Sequence, residues 1–344
     1  MKRLSVIIPG YNNRFDWWER CVKSVLEATK EQDELICVDD GSPNQDELKR
    51  LVVGGIWEDE RIRWIWREKN GGLAAARNSA LDEVKGTYVT FIDSDDEILP
   101  DTYTIALQKL AMTGANICIF GVRTVWVKEG LTKCDTPGEN DYGELTPVDL
   151  MKLIHSRVFN YAWNKVYRVD FITGHGYAWN KLRFDLEGMP CEDAIFNLEC
   201  LMRGAKYCSI NFVGYVYYRT TSTLLSLYKK TNKVGIKKNS EKWLEYCKLT
   251  GADTKPYLGW AILSERELLR TELANIWLDG SPHSFLSRLA WIRNHSVDLG
   301  TQHPFVLWVL MVVKSFARRY LYFRCVRKWH LKRAFGASAI EKGE

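Results

Sequence analysis

Over its first 122 residues the chain alternates between short apolar runs and apolar residues at helical spacing. Leu4–Ile8, broken only by Ser5, reads as a strand. Phe15–Ala28 then sets Trp18, Cys21, Val22, Val25 and Leu26 along one side of a helix. The same rhythm predicts strands at Leu35–Val38, Arg61–Trp66, Thr87–Ile92 and Ile117–Val122. Helices are predicted from near Ser42, over Leu73–Val84 and over Pro100–Met112. Pro43 suits a first helical turn, where the amide it lacks would have no acceptor. Strands joined through helices by short loops predict an α/β fold, a mostly parallel sheet flanked by helices. The rhythm breaks at Lys128–Pro147, where DTPGENDYGELTP reads as a turn-rich surface loop or insertion. Short strand and helical patterns resume to about Tyr228, and residues 232–300 read mainly as helix, most clearly Leu258–Leu278. These shifts divide the chain into 1–122, 123–230, a helical extension at 231–300 and a tail at 301–344.

Ligands of such sheets bind at the carboxyl ends of the strands, and four of those ends are polar here. They read PGYNN (9–13), VDDGS (38–42), EKNGGLAAARN (68–78) and FIDSDDE (91–97). The last sets Asp93, Asp95 and Asp96 together, where mutual repulsion costs stability unless a cation is near. Each stretch alone has a plain structural reading as a turn, an N-cap or a solvated helix residue. Their coincidence on one edge of one sheet points to a site.

Charge changes the picture at the far end of the chain. Of 48 Lys and Arg, eight fall in residues 299–340, which hold no acid; the other 40 are outnumbered by 43 Asp and Glu. The net charge of +5 therefore hides a mildly acidic body and a strongly basic tail, expected to meet different partners. Nine cysteines form no CxxC pair, and Cys21, Cys37, Cys118 and Cys200 read as reduced core thiols of a cytosolic protein. The start, MKRLSVIIPGYN, has too short an apolar stretch for a signal peptide.

Taken in order, SVIIPGYN, ICVDDGS, NGGLAAARN, FIDSDD, WNKVYR (163–168) and CEDAIF (191–196) resemble the inverting family-2 glycosyltransferases of GT-A fold. The resemblance runs over roughly residues 1–225. It implies a nucleotide-sugar donor and makes Asp93-Ser94-Asp95 the DxD element. Asp95 would hold Mn²⁺ or Mg²⁺, and Asp93 would touch the ribose or a metal-bound water. A cation is apt because departure of the sugar adds negative charge to the diphosphate, which carboxylates alone would repel. By the same resemblance Pro9 and Tyr11 line the base or ribose pocket, with Asn70 and Gly71 beside them. Asp39 would accept the N3–H of uracil, which favours UDP, though dTDP offers the same group. Asp40 would assist or order the loop, and Arg77 would reach base or phosphate. Asp193 would be the general base, with Glu192, Trp163, Asn164 and Lys165 on the acceptor side. Asp193 also fits a simpler reading, an acid placed favourably at a helix N-terminus. Two departures stand out: Cys191 replaces a frequent Gly, and no His lies between His175 and His283 to complete a metal site. Water or the diphosphate is left to do so, or Tyr217–Ser222 forms a loop that closes over the donor.

In the tail, Phe305–Val313 is nine continuous apolar residues, against the roughly 20 that span a bilayer. The following KSFARRYLYFRCVRKWHLKR suits an anionic membrane surface, where aromatic and basic side chains settle at headgroup depth. Packing on the protein's own body is the alternative; nucleic acid is not expected, because no recognition module accompanies the charge. The sequence therefore predicts a peripheral protein of the cytoplasmic face of the cell membrane. It would move one sugar from a UDP-sugar, with inversion, to a hydroxyl of a glycan or lipid-linked acceptor in bacterial surface-polysaccharide synthesis. Without a QxxRW motif, single addition is expected rather than polymerisation. The rivals are a sugar nucleotidyltransferase, whose Gly-rich Arg loop PGYNNR does not match, and a non-catalytic nucleotide-sugar-binding membrane protein. Homo-oligomerisation is left open.

Overall fold

The computed structural model describes residues 2–155, 158–176, 180–189, 191–219 and 232–251. The chain divides into two units, residues 1–271 and 272–344. The second unit lies outside the described residues, as do the expected helix Leu258–Leu278, the closing loop beyond Arg219 and the basic tail.

Strand β1 (Lys2–Gly10) sends Leu4, Val6 and Ile8 to one face of the sheet and Ile7 to the other. Both faces are covered, which is why the run is almost unbroken in apolar residues. β1 pairs in parallel with β2 (Glu34–Asp39) and β4 (Gly86–Phe91), and β3 (Ile62–Trp66) extends the sheet beyond β2. Helix α1 (Phe15–Ala28) covers the Leu4 face through Trp18, Cys21, Val22 and Val25. Helix α3 (Leu73–Leu81) covers the Ile7 face with Ala74, Ala76, Ala80 and Leu81. The parallel half thus follows the predicted rhythm, with shifted ends. α2 (Gln45–Leu51) starts after Pro43, because Ser42 is drawn back to Asp39.

Beyond β4 the sheet becomes mixed. β9 (Lys165–Arg168), the strand of WNKVYR, inserts antiparallel between β4 and β6 (Ile117–Trp126). β10 (Lys206–Arg219) runs parallel to β6, and the short β5 (Glu97–Ile98) closes that side antiparallel to β10. Among the described residues the order is β3-β2-β1-β4-β9-β6-β10-β5. Residues 128–147, expected as a surface loop, instead contain two strands. β7 (Leu131–Asp135) pairs with β6, and β8 (Asn140–Glu144) with β10. Their turn-forming glycines, Gly130 and Gly138, lie outside the strands at positive φ. The strands between satisfy edge N–H and C=O groups that β6 and β10 would otherwise leave open.

Helix α4 (Thr102–Thr113) joins α1 on the Leu4 face. α5 (Pro147–His155), the short α6 (Val169–Thr173), α7 (Glu192–Met202) and α8 (Asn232–Thr250) lie on the Ile7 side, contributing Leu150, Phe171, Phe196 and Trp243 to that core. The result is a curled sheet between two helical layers. Cys21, Cys37, Cys118 and Cys200 are buried free thiols, as their apolar settings predict. Among the described residues, no helix is long and apolar enough to cross a membrane.

Candidate active site

The carboxyl ends of β1, β2 and β4 lie side by side, and each feeds a polar loop. Asp39, the last residue of β2, is buried; it accepts from the Ser42 N–H at 3.0 Å, from the Ser42 hydroxyl and from Gln45 Nε2 at 2.7 Å. A carboxylate has about four acceptor sites, so three donors leave room for one more. Asp40 turns towards the next loop, accepting from the N–H groups of Gly71 at 3.1 Å and Gly72 at 2.7 Å and pairing with Arg67 Nε at 3.0 Å. Burial raises its pKa in spite of those donors. Asp40 therefore orders the Asn70–Gly72 loop. Gly41 has φ +70, and a Cβ there would come 2.6 Å from the Lys69 carbonyl carbon, so only glycine lets the two loops touch. Asn70 and Gly71 remain exposed, Tyr11 is 44% exposed, and Pro9 is buried opposite Val38.

At the end of β4 the three acids have three different surroundings. Asp96 is fully buried and accepts from the Tyr215 hydroxyl and the Tyr218 N–H, each at 2.8 Å. The same Tyr215 hydroxyl accepts the Asp93 N–H at 3.1 Å. Asp96 thus fastens the loop to β10, and burial pushes its pKa well up. Asp95 has no such anchor for its charge: among the described residues no Lys or Arg side chain forms an ion pair with it. Arg20 donates to the Asp95 carbonyl, not to its carboxylate, and pairs with Glu97 at 2.8 Å. Burial, then the charge of Asp93, raises the Asp95 pKa to about 6. A carboxylate short of a cation, beside a second carboxylate, fits a hard divalent ion such as Mn²⁺ or Mg²⁺. No group of three or more His, Cys, Asp or Glu placed to hold a metal occurs among the described residues. Further coordination would have to come from water or from phosphates of a ligand, as is usual for Mg²⁺.

Asp93 is tied through Arg77 to the first turn of α7. Arg77, on α3, is 1% exposed; its Nη2 donates to Asp93 Oδ1 at 2.9 Å and its Nη1 to Asp193 Oδ1, with Glu192 Oε1 at 4.0 Å. Burial opposes the guanidinium charge, but Asp193, Asp93 and Glu192 outweigh it and push the pKa up. Arg77 is thus engaged by carboxylates, where the resemblance implies reach to base or phosphate. Asp193 lies in the first turn of α7, yet its bonds run to Arg77 and, at 2.9 Å, to the Ala162 N–H rather than to amides of its own helix. Glu192 is buried; burial first, then Asp193, raises its pKa to about 7, and its Oε2 has no hydrogen-bond partner among the described residues.

The WNK residues build the turn that presents Ala162. Lys165 is fully buried and donates to the carbonyls of Val158, at 3.0 Å, and Tyr161, and to Asn164 Oδ1 at 2.9 Å. Burial lowers its pKa to about 7. Asn164 Nδ2 donates to the carbonyls of Val158 at 2.8 Å and Phe120 at 3.2 Å. Trp163 stacks between Tyr161 and Tyr215, with ring centroids 4.4 and 4.1 Å away. Asn164 and Lys165 are out of a ligand's reach, so any effect on an acceptor runs through this turn. Sequence reasoning missed Ala162 and Tyr215. Ala162 acts through its backbone, which no side-chain pattern reveals, and Tyr215 sits unmarked among the tyrosines of YVYYR.

The Glycosyl transferase family 2 description matches residues 5–167, which takes in the polar strand ends and WNK but stops before Glu192 and Asp193. The glycosyltransferase GlyA of Streptococcus pneumoniae is 28% identical over 222 residues, 62% of this chain and 30% of that protein. YibD, an uncharacterized glycosyltransferase of Escherichia coli, is 28% identical over 241 residues, 67% of this chain and 65% of that protein. The chain thus spans less than two thirds of the length of either relative. The crystal structure of residues 1–349 of S. aureus TarS in complex with UDP-GlcNAc is similar with a TM-score of 0.57 at 17% identity. That similarity covers 86% of this chain and 80% of the TarS chain, and it is a likeness of fold.

Proposed function

Because residues 5–167 match the Glycosyl transferase family 2 description and the fold is similar to that of TarS, we propose that the protein moves one sugar from a UDP-sugar to an acceptor hydroxyl with inversion. The observation that carries this reading is the meeting of Asp193 with the Asp93–Asp95 loop across one guanidinium. An in-line displacement needs a base on the acceptor side and charge stabilisation on the donor side, held in one geometry. The acceptor oxygen bonds to the anomeric carbon while the bond from that carbon to the β-phosphate oxygen breaks. Its electron pair leaves with UDP, and the hydroxyl proton passes to the Asp193 carboxylate. Asp39 offers its remaining acceptor site to the uracil N3–H, with Pro9, Tyr11, Asn70 and Gly71 around the nucleoside. A divalent cation at Asp95 and Asp93 would neutralise charge building on the diphosphate. TarS, similar in fold, was crystallised with UDP and with UDP-GlcNAc, which supports the donor class.

A thermal-shift screen of nucleotide sugars tests the reading. UDP-sugars should raise the melting temperature more with Mn²⁺ than with chelator, by ordinary binding linkage. If no uridine nucleotide shifts the transition under either condition, the donor assignment is wrong.

The acceptor we infer is a hydroxyl of a bacterial surface-glycan or lipid-linked precursor, in keeping with the family resemblance. The basic aromatic tail supports attachment to the anionic cytoplasmic face of the cell membrane. Deleting residues 302–344 should then release the protein from anionic liposomes in a sedimentation assay, and raising salt should loosen the full-length chain. A truncated protein that still sediments with the liposomes would place the anchor elsewhere.

A further inference from the structure

Arg77 is spent on two carboxylates that come from opposite halves of the site. Nη2 serves Asp93, just past β4, and Nη1 serves Asp193, on α7. The guanidinium is sealed beneath aromatic rings, its Cζ 5.1 Å from the Phe184 centroid and 5.9 Å from that of Phe91. The guanidinium itself is buried, so a phosphate could take either nitrogen only by displacing one of these part-buried carboxylates. Each of those residues is also held from a second direction. The Asp93 backbone is fixed by the Tyr215 hydroxyl, and Asp193 Oδ2 by the Ala162 N–H. The guanidinium therefore spans two anchored points.

We propose that Arg77 is a positioning residue, which ties the base carboxylate Asp193 to the donor-side carboxylate Asp93 and so sets the acceptor side against the donor. The inference rests on the transfer reaction proposed above. Its physical basis is charge and shape. Without a cation, Asp93, Asp193 and Glu192 would repel one another in a poorly solvated space, where an unpaired charge is strongly destabilising. Helix α7 shares no backbone ladder with β4. It meets that strand through packing, with Phe196 stacked on Phe184 at 4.2 Å and edge-on to Phe91 at 6.3 Å. Such packing tolerates a small slide, and the fork of Arg77 removes it. Lysine carries the charge but only one nitrogen, so it cannot bond both carboxylates in the fork geometry.

The test is Arg77→Lys in the full-length protein, with UDP affinity measured by calorimetry in Mn²⁺ and turnover measured with a UDP-sugar. The expected result is a UDP Kd unchanged within about threefold and a kcat lower by about 10²-fold, the cost of a misplacement near 1 Å. In an Asp193→Asn background the same substitution should change kcat by less than about threefold, because the group it positions is already disabled. A Kd weakened by about tenfold or more, with losses that multiply in the double variant, would overturn the proposal and return Arg77 to the donor pocket. A second arm needs no turnover. Arg77→Met leaves Asp93 and Asp193 facing each other unpaired and should lower the melting temperature; adding Asp193→Asn should recover part of that loss. A double variant that melts no higher than Arg77→Met sinks the bridge. Should the native protein bind no uridine nucleotide, the transfer reading fails while this second arm still judges the bridge.

Discussion

Asp193→Asn is expected to lower sugar transfer by roughly 10²–10⁴-fold, the range that positioned bases contribute, while UDP affinity in the presence of metal stays near that of the native protein. The base acts only when the acceptor hydroxyl attacks, so its loss strikes the chemical step and spares the donor. Asparagine keeps the shape but turns one acceptor into a donor. Its Nδ2 must then face either the Ala162 N–H or Arg77 Nη1, the two groups that Asp193 now satisfies. A stability loss of about 1–3 kcal/mol should follow, measurable by denaturant titration. If Asp193 were instead only a favourable acid at a helix N-terminus, Asn, itself a good cap, would leave transfer intact. Glu192→Gln is the control, one residue away with the same change in charge. Transfer abolished by Glu192→Gln and retained by Asp193→Asn would mean that the base is the wrong carboxylate of the pair.

Asp95→Asn should have opposite effects with and without ligand. In the free protein, burial and Asp93 raise the Asp95 pKa to about 6, above the roughly 3.9 of an unfolded aspartate. The sign follows from linkage: the folded state holds the proton more tightly, so this group's contribution is fully present below about pH 3.9 and lost as pH rises through 6. At neutral pH the ionised carboxylate therefore costs stability, and Asn escapes that cost. The ligand-free variant should melt above the native protein at pH 7.5, and the gap should close towards pH 4. With Mn²⁺ and UDP the order should invert, because only the native protein gains the binding energy of the cation. Transfer by the variant should be nearly abolished, since nothing else in the loop can replace the missing ligand. A variant that shows the native Mn²⁺-dependent shift and native turnover would remove Asp95 from the metal site. The pairing of the two outcomes matters: a site built for a cation is strained until the cation arrives.

How much of this was legible beforehand depends on whether a feature is local. The strands Leu4–Ile8 and Thr87–Ile92 and the helix Phe15–Ala28 each declare themselves in a few consecutive residues, through apolar runs or apolar residues at helical spacing. The structure places β1, β4 and α1 there to within a residue or two, and their polar ends, PGYNN, VDDGS and FIDSDDE, fall together because parallel strands all end on the same edge. Where the sheet departs from that rhythm, the sequence is silent. β9 is only four residues, KVYR, with a charge at each end, and its place between β4 and β6 depends on backbone pairing with strands far away in the chain. DTPGENDYGELTP carries genuine turn signals, but the strands around those turns exist because β6 and β10 offer them open edges.

The site divides in the same way. That acids crowd residues 93–96 is a property of the chain, and so is the demand they make for positive charge. Which acid keeps that demand is decided by neighbours: Tyr215 and Tyr218 satisfy Asp96, Arg77 satisfies Asp93, and Asp95 is left with no ion pair among the described residues. Arg77 shows the limit most clearly. Its charge and its place on a helix are written in NGGLAAARN, but its partners come from β4 and α7, and Asp193 is brought to it only when the sheet curls and the aromatic rings of Phe184, Phe91 and Phe196 close together. Burial and spacing along the chain are set by a few neighbouring residues and can be read there. Coulomb and hydrogen-bond partners are set by distance in space, and that distance exists only once the core has packed.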